Sequence, residues 1–192
     1  MKPKSAIFLS ASIPDRDYET WKPAVLATRE AVLALVSVVV RERFLVFGGH
    51  PAISPLVEHA ARTLESTGNV FIYQSAWFAE IIPAEARAFE NFTFTPKGAT
   101  RKASLKKMRK VMLDSKEFKA GVFIGGMEGV DDEYKMFRKR WPRASVFPIA
   151  STGGAARRLW ERGAGPRDGE VRDLLENSKR YRALFRRFLM NL

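Results

Sequence analysis

Apolar residues along this chain fall into short, dense runs separated by longer stretches in which they recur every three or four positions. The runs Ala6 to Ser10, Phe44 to Phe47, Val70 to Gln74, Gly121 to Ile124 and Ser145 to Ile149 are rich in Val, Ile and Phe. Near-continuous apolar runs of this length predict parallel strands covered on both faces. Between them, about Lys22 to Val40, Ser54 to Ser66, Leu105 to Ser115, Val130 to Trp141 and Gly154 to Arg162 carry the helical period and predict the covering helices. Strand and helix alternate throughout, which predicts an α/β domain.

Two segments stand apart. Trp77 to Lys102 is punctuated by Pro83, Pro96 and Gly98, which predicts a short helix around Ala84 to Asn91 followed by a loop. After Gly163-Ala164-Gly165-Pro166, the stretch Gly169 to Met190 places Val171, Leu174, Tyr181, Phe185 and Phe188 at helical spacing and predicts one final amphipathic helix. Its other face carries Arg172, Lys179, Arg180, Arg182, Arg186 and Arg187, either a solvated surface or one that meets phosphate. The whole reads as a Rossmann-like, doubly wound, mainly parallel sheet flanked by helices over residues 1–166. A C-terminal helical extension over 167–192 packs on the same domain or on a partner.

The 192 residues, 46% of them hydrophobic, suffice for one sizeable core. No apolar run reaches the roughly 20 residues of a membrane span; the best candidate, Ala31 to Val40, contains Ser37 and ends at Arg41. Met1-Lys2-Pro3-Lys4 leads only into Ala6 to Leu9, too short for a secretory hydrophobic segment. A cytoplasmic location without membrane contact is the expectation, and the absence of cysteine fits it. That absence also excludes disulfides, thiolate metal sites and a cysteine nucleophile. His50 and His59, far apart and without companions at metal spacing, give no zinc site, so neither metal nor cofactor is expected. The balance of 33 Lys and Arg against 21 Asp and Glu gives a charge of +12 and biases the chain toward phosphate-bearing ligands or polyanions. No helix-turn-helix, zinc-finger or RNA-recognition motif is present, so nucleic acid stands only as an alternative partner.

In an open parallel sheet, ligands sit beyond the carboxyl ends of the strands. Here those ends read Ser10-Ala11-Ser12, Gly48-Gly49-His50-Pro51, Gly125-Gly126 and Ser151-Thr152-Gly153-Gly154. Glycine lets backbone approach a phosphate closely, and the free amides and dipole of a following helix supply positive potential. Tight strand-to-helix turns also select glycine, but four small or polar ends on one edge point to a ligand. Gly125-Gly126-Met127-Glu128-Gly129-Val130-Asp131-Asp132-Glu133 adds acids at a helix start. Glu133, about one turn in, is placed to face the cleft, whereas Asp131 and Asp132 have the ordinary role of acids in a first turn. His50 is placed to meet phosphate or base, and His59 reads as a surface or packing residue. Tyr73, Trp77 and Phe78 either stack on a base or pack in the core.

These motifs resemble the LOG phosphoribohydrolases, the lysine-decarboxylase-like family, and the wider SLOG superfamily that joins them to sirtuin-like Rossmannoid ligand binders. That family carries Pro-Gly-Gly-x-Gly-Thr-x-x-Glu after a strand, with an Arg-Lys pair on the preceding helix. This chain keeps the order Arg109-Lys110, Gly125-Gly126, Gly129, Glu133, and the resemblance spans roughly residues 5 to 160. Ile124 stands in place of the proline, one residue is inserted between Gly126 and Gly129, Val130 replaces the threonine, and His50 with Pro51 to Pro55 replaces further glycines.

The resemblance implies a nucleotide-binding domain. Its ligand would be a nucleotide or an ADP-ribose-like molecule, and its role that of a sensor in a bacterial defence or signalling system. The alternative is N-glycosidic hydrolysis of a nucleoside 5′-monophosphate, with Glu133 as the carboxylate that stabilises ribose charge or orients water, Arg109 holding phosphate or Glu133, and Glu128 as a second carboxylate. The departures fall inside the catalytic motif and favour binding. The resemblance also implies a homodimer, for which the last helix offers an apolar stripe.

Overall fold

The computed structural model describes residues 4–14, 22–82 and 84–192. Six strands, β1 (Ala6–Ser12), β2 (Phe44–Gly48), β3 (Val70–Ser75), β4 (Asn91–Thr95), β5 (Phe118–Gly125) and β6 (Ser145–Ile149), form one sheet in the order β4-β3-β2-β1-β5-β6. Every neighbouring pair is parallel. The expected α/β, doubly wound architecture is therefore present.

One face of the sheet is covered by α1 (Val25–Val39), α2 (Ser54–Thr63), α7 (Gly169–Asn177) and α8 (Tyr181–Leu189), whose apolar residues share a core with Ile7, Leu9, Leu45, Phe47, Val122 and Ile124. The other face carries α4 (Arg101–Asp114), α5 (Glu128–Arg140) and α6 (Gly154–Glu161) over Phe8, Val46 and Phe123. Period-two alternation along each strand sends successive side chains to these two layers, and both are apolar, which is why the runs read as continuous. Phe8 stacks on Phe137 of α5 with ring centroids 5.3 Å apart, and Phe118 and Phe123 meet Phe137 edge-on. This aromatic cluster fixes α5 on the sheet.

Four elements differ from the expectation. The segment read as helix and loop contains a 3-10 turn (Ala76–Ile81), a short helix, α3 (Ala84–Arg87), and then the edge strand β4, paired from Phe71↔Asn91 to Ser75↔Thr95. Asn-Phe-Thr-Phe-Thr alternates aromatic with polar or β-branched residues, a strand pattern that the flanking prolines obscured. The single final helix is two, broken at Ser178, where the backbone is extended and the hydroxyl accepts from the Arg180 N–H at 3.2 Å. Asn177 and Ser178 bond their own backbone readily and so favour such a break. Finally, α1 starts at Val25 rather than Lys22, because Pro23 is held in a bridge to Gly153, whereas α4 starts early, at Arg101, with the Thr100 hydroxyl accepting from Ala103 N–H at 3.1 Å. Among the described residues no helix is long and apolar enough to cross a membrane.

Candidate functional site

The sheet order reverses at β1: the chain moves outward through β2, β3 and β4, then crosses back to place β5 on the other side of β1. The crevice at such a switch point is where open α/β sheets hold ligands. Here its rim is the pair Ser12↔Gly125.

Gly125 and Gly126 turn the chain from β5 into α5 with φ of +55° and +80°. A Cβ at Gly125 would lie 2.6 Å from the Thr28 hydroxyl of α1, and one at Gly126 would overlap the Val130 side chain of α5. Glycine is thus required by conformation and by the closeness of two helices. The loop after β6 braces this turn. Thr152 Oγ1 accepts from Gly125 N–H at 2.7 Å and donates to the Ile149 carbonyl at 2.6 Å, while Ala155 N–H donates to the Gly126 carbonyl at 2.9 Å. Gly153 carries the bridge to Pro23, and Gly154 packs against Gly126. Thr152, Gly153 and Gly154 are therefore committed to internal contacts that shape the glycine turn.

Below the rim, α4 supplies Arg109 and α5 supplies Glu133. Arg109 Nε donates to Glu133 Oε1 at 3.2 Å, Nη1 to Asp132 Oδ2 at 3.2 Å and Nη2 to the Gly129 carbonyl at 3.2 Å. The Ser10 hydroxyl of β1 donates to the other Glu133 oxygen at 2.6 Å. Arg109 and Glu133 side chains are 9% and 13% exposed, so the pair is largely desolvated yet still reached from the crevice. Gly48 at the end of β2 borders it: a Cβ there would sit 3.8 Å from Glu133 Oε1 and 3.4 Å from Met108 Cε. A Cβ on Gly129 would come within 3.2 Å of Arg109 Nη2, so this glycine lets the guanidinium lie against the first turn of α5.

The structure thus gathers Ser10, Gly48, Arg109, Gly129 and Glu133 into one cluster beside Ser12, Gly125 and Gly126. Glu128 is exposed at the first position of α5, outside the ion-pair cluster. The His50 ring accepts from Ala52 N–H through Nδ1 at 3.2 Å and its backbone N–H donates to Ser54 Oγ, closing the turn into α2. Gly49 N–H extends the β2–β3 pairing by donating to the Tyr73 carbonyl. Tyr73 is a core residue, Phe78 is half-buried under the Arg101 guanidinium, and Trp77 is exposed. His59 lies on the exposed side of α2. Asp131 pairs with Lys135 and Arg162, the ordinary role of a first-turn acid, whereas Asp132 shares Arg109 with Glu133.

Sequence reasoning missed Thr28. Its hydroxyl is fully buried beside Gly125 and has no hydrogen-bond partner among the described residues. The signal was present: Thr28 heads the stripe Ala31, Val32, Leu35 on the buried face of α1, where a hydroxyl is out of place. Among the described residues no group of three or more His, Cys, Asp or Glu is arranged to hold a metal ion.

A family profile described as the SLOG cluster3 family matches residues 19–189. Among solved structures the chain is similar to one described as the X-ray structure of TM1055, a Northeast Structural Genomics Consortium target. The two share 17% identity over 88% of each chain, with a TM-score of 0.59. At that identity the likeness carries the fold alone. No curated protein matches the chain.

Proposed function

This chain belongs to the SLOG cluster3 family, and from that premise we propose that it binds a nucleotide or an ADP-ribose-like ligand at the β1/β5 crevice and does not turn it over. The observation that carries this reading is the Arg109–Glu133–Ser10 cluster, seated beside Gly48 and opening at the switch point. The N-terminus of α5 has no side-chain cap on its amides, so phosphate fits against the turn from Gly126 to Gly129. A carboxylate nearby suits ribose hydroxyls, which donate to it. A sensor role in a bacterial defence or signalling system is what the superfamily resemblance implies for such a binder.

Two features favour binding over hydrolysis. Both Glu133 oxygens already accept hydrogen bonds, one from Ser10 and one from Arg109, which leaves this group less free to move a proton or orient water. Val130 is 2% exposed and packs a methyl against Gly126 where a threonine would offer a hydroxyl.

The test is calorimetric titration of the wild-type chain and two variants with ADP-ribose and AMP, followed by chromatography of the mixtures. Gly48→Ala puts a methyl at ordinary contact distance from Met108, Met112 and Glu133, so it should fold normally while narrowing the crevice. Expected are binding by the wild type, a loss of about tenfold or more in Gly48→Ala and Glu133→Gln, equivalent to about 1.4 kcal/mol, and intact ligand afterwards. Absence of binding at millimolar ligand, or equal affinity in Gly48→Ala, overturns the site. Release of free base by the wild type but not by Glu133→Gln replaces binding with hydrolysis.

A further inference from the structure

A second feature lies away from the crevice, on the α1/α8 side. Here α8, the break before it and one flank of α1 enclose an open concavity of about 530 Å³, whose walls include Lys179, Arg180, Arg182 and Arg186. All four cations are exposed, and none pairs with a carboxylate among the described residues. Several arginines elsewhere on the surface are paired: Arg157 with Glu161 and Glu176, Arg187 with Glu170, Arg162 with Asp131, Arg140 with Asp114. Like charges gathered around a concave wall repel one another unless an anion lies between them. Glu30 is the one acid in the lining.

The helix adds to this field. α8 has no acid in its first turn and no side-chain cap at Arg180, so the amides of its first turn face outward with the positive end of the dipole. Arg182 and Arg186 are four residues apart and form one row, about 6 Å apart along the axis. Tyr181, the aromatic residue of the lining, is 3% exposed and receives a hydrogen bond from the Ser151 hydroxyl at 3.3 Å. Burial pushes its phenol above the usual tyrosine range, so it stays neutral. With its ring turned into the core it offers no platform for a base. An enclosed pocket that covers most of a small ligand is not what this surface provides.

We infer that this groove is a docking track for the phosphodiester backbone of a nucleic acid, held without regard to base sequence. Cations without aromatic platforms or groove-reading side chains give binding by counterion release, which is steep in salt and indifferent to sequence. The track is independent of the crevice ligand, because none of its residues touches the Arg109–Glu133 cluster.

The experiment is fluorescence anisotropy of labelled duplexes of two unrelated sequences, titrated with the wild type and Arg182→Gln/Arg186→Gln at several salt concentrations. Both positions are exposed and unpaired, so the double variant should unfold at the wild-type temperature. Each phosphate contact contributes about 0.9 to the slope of log Kobs against log salt. The expected result is equal binding of both duplexes, with the slope reduced by about 1.8 in the double variant and a tenfold or greater loss of affinity at low salt. Three outcomes overturn the proposal: no binding at low salt, an unchanged slope in the double variant, or complete displacement of DNA by equimolar tripolyphosphate. The last assigns the groove to a small polyanion instead.

Discussion

Alanine at Gly126 is expected to destabilise the protein by about 2 to 5 kcal/mol, read as a lower midpoint in urea unfolding with an unchanged slope. Two terms add. The backbone at φ +80° disfavours any L side chain by about 1 to 2 kcal/mol. The new methyl must also displace Val130, whose Cβ would be 2.9 Å away and which is buried at the start of α5, a repacking of about 1 to 3 kcal/mol. Gly163 is the internal control. Its φ is +82°, but a Cβ there meets nothing within 4 Å, so Gly163→Ala should show only the backbone term. Equal destabilisation by the two variants would mean that the contact between the turn and α5 has been overvalued.

Removing Arg109 has the second large effect. Arg109→Ala strips Glu133 of its ion-pair partner and leaves the Gly129 carbonyl unmet, in a site where both side chains are mostly out of water. Breaking a buried pair costs about 3 to 5 kcal/mol; Asp132 is half in solvent and Ser10 still serves Glu133, so about 2 to 4 kcal/mol is expected here. Arg109→Met should lose a similar amount, because length is kept while charge is lost. Adding Glu133→Leu to it should recover at least half, since an apolar pair of similar volume leaves no orphaned charge. Thermal unfolding of the three variants checks this, and an Arg109→Ala protein within about 0.5 kcal/mol of wild type would refute it. Recovery in the double variant would show that stability alone does not require the pair, in keeping with a ligand-facing role.

The layout of the site was legible because each part follows from local pattern. Short apolar runs gave the strands; Gly125-Gly126 and the acids behind them marked the turn into α5. The fate of each side chain was not legible. Ser10 and Thr152 carry hydroxyls at strand ends, which suits phosphate, yet the tertiary arrangement turns both inward, one to Glu133 and one to Gly125 and Ile149. His50 closes its own turn, a use that a glycine-rich context does not reveal. β4 was hidden because an edge strand needs little apolar density, and the break at Ser178 because the apolar spacing runs through it without interruption.

The Ser10–Glu133 hydrogen bond joins residues 123 positions apart, and this separation bears on how the molecule is made. Of the six strands in this sheet β1 is made first, but one of its two neighbours, β5, begins only at Phe118. Until then β1 to β4 form a half-sheet whose inner edge is open, and closing so long a loop is slow. The crevice is therefore completed only once β5 and α5 have been synthesised. A chain that stops short of β5 has strands but no site, and it exposes the edge of β1 where Ser10 lies.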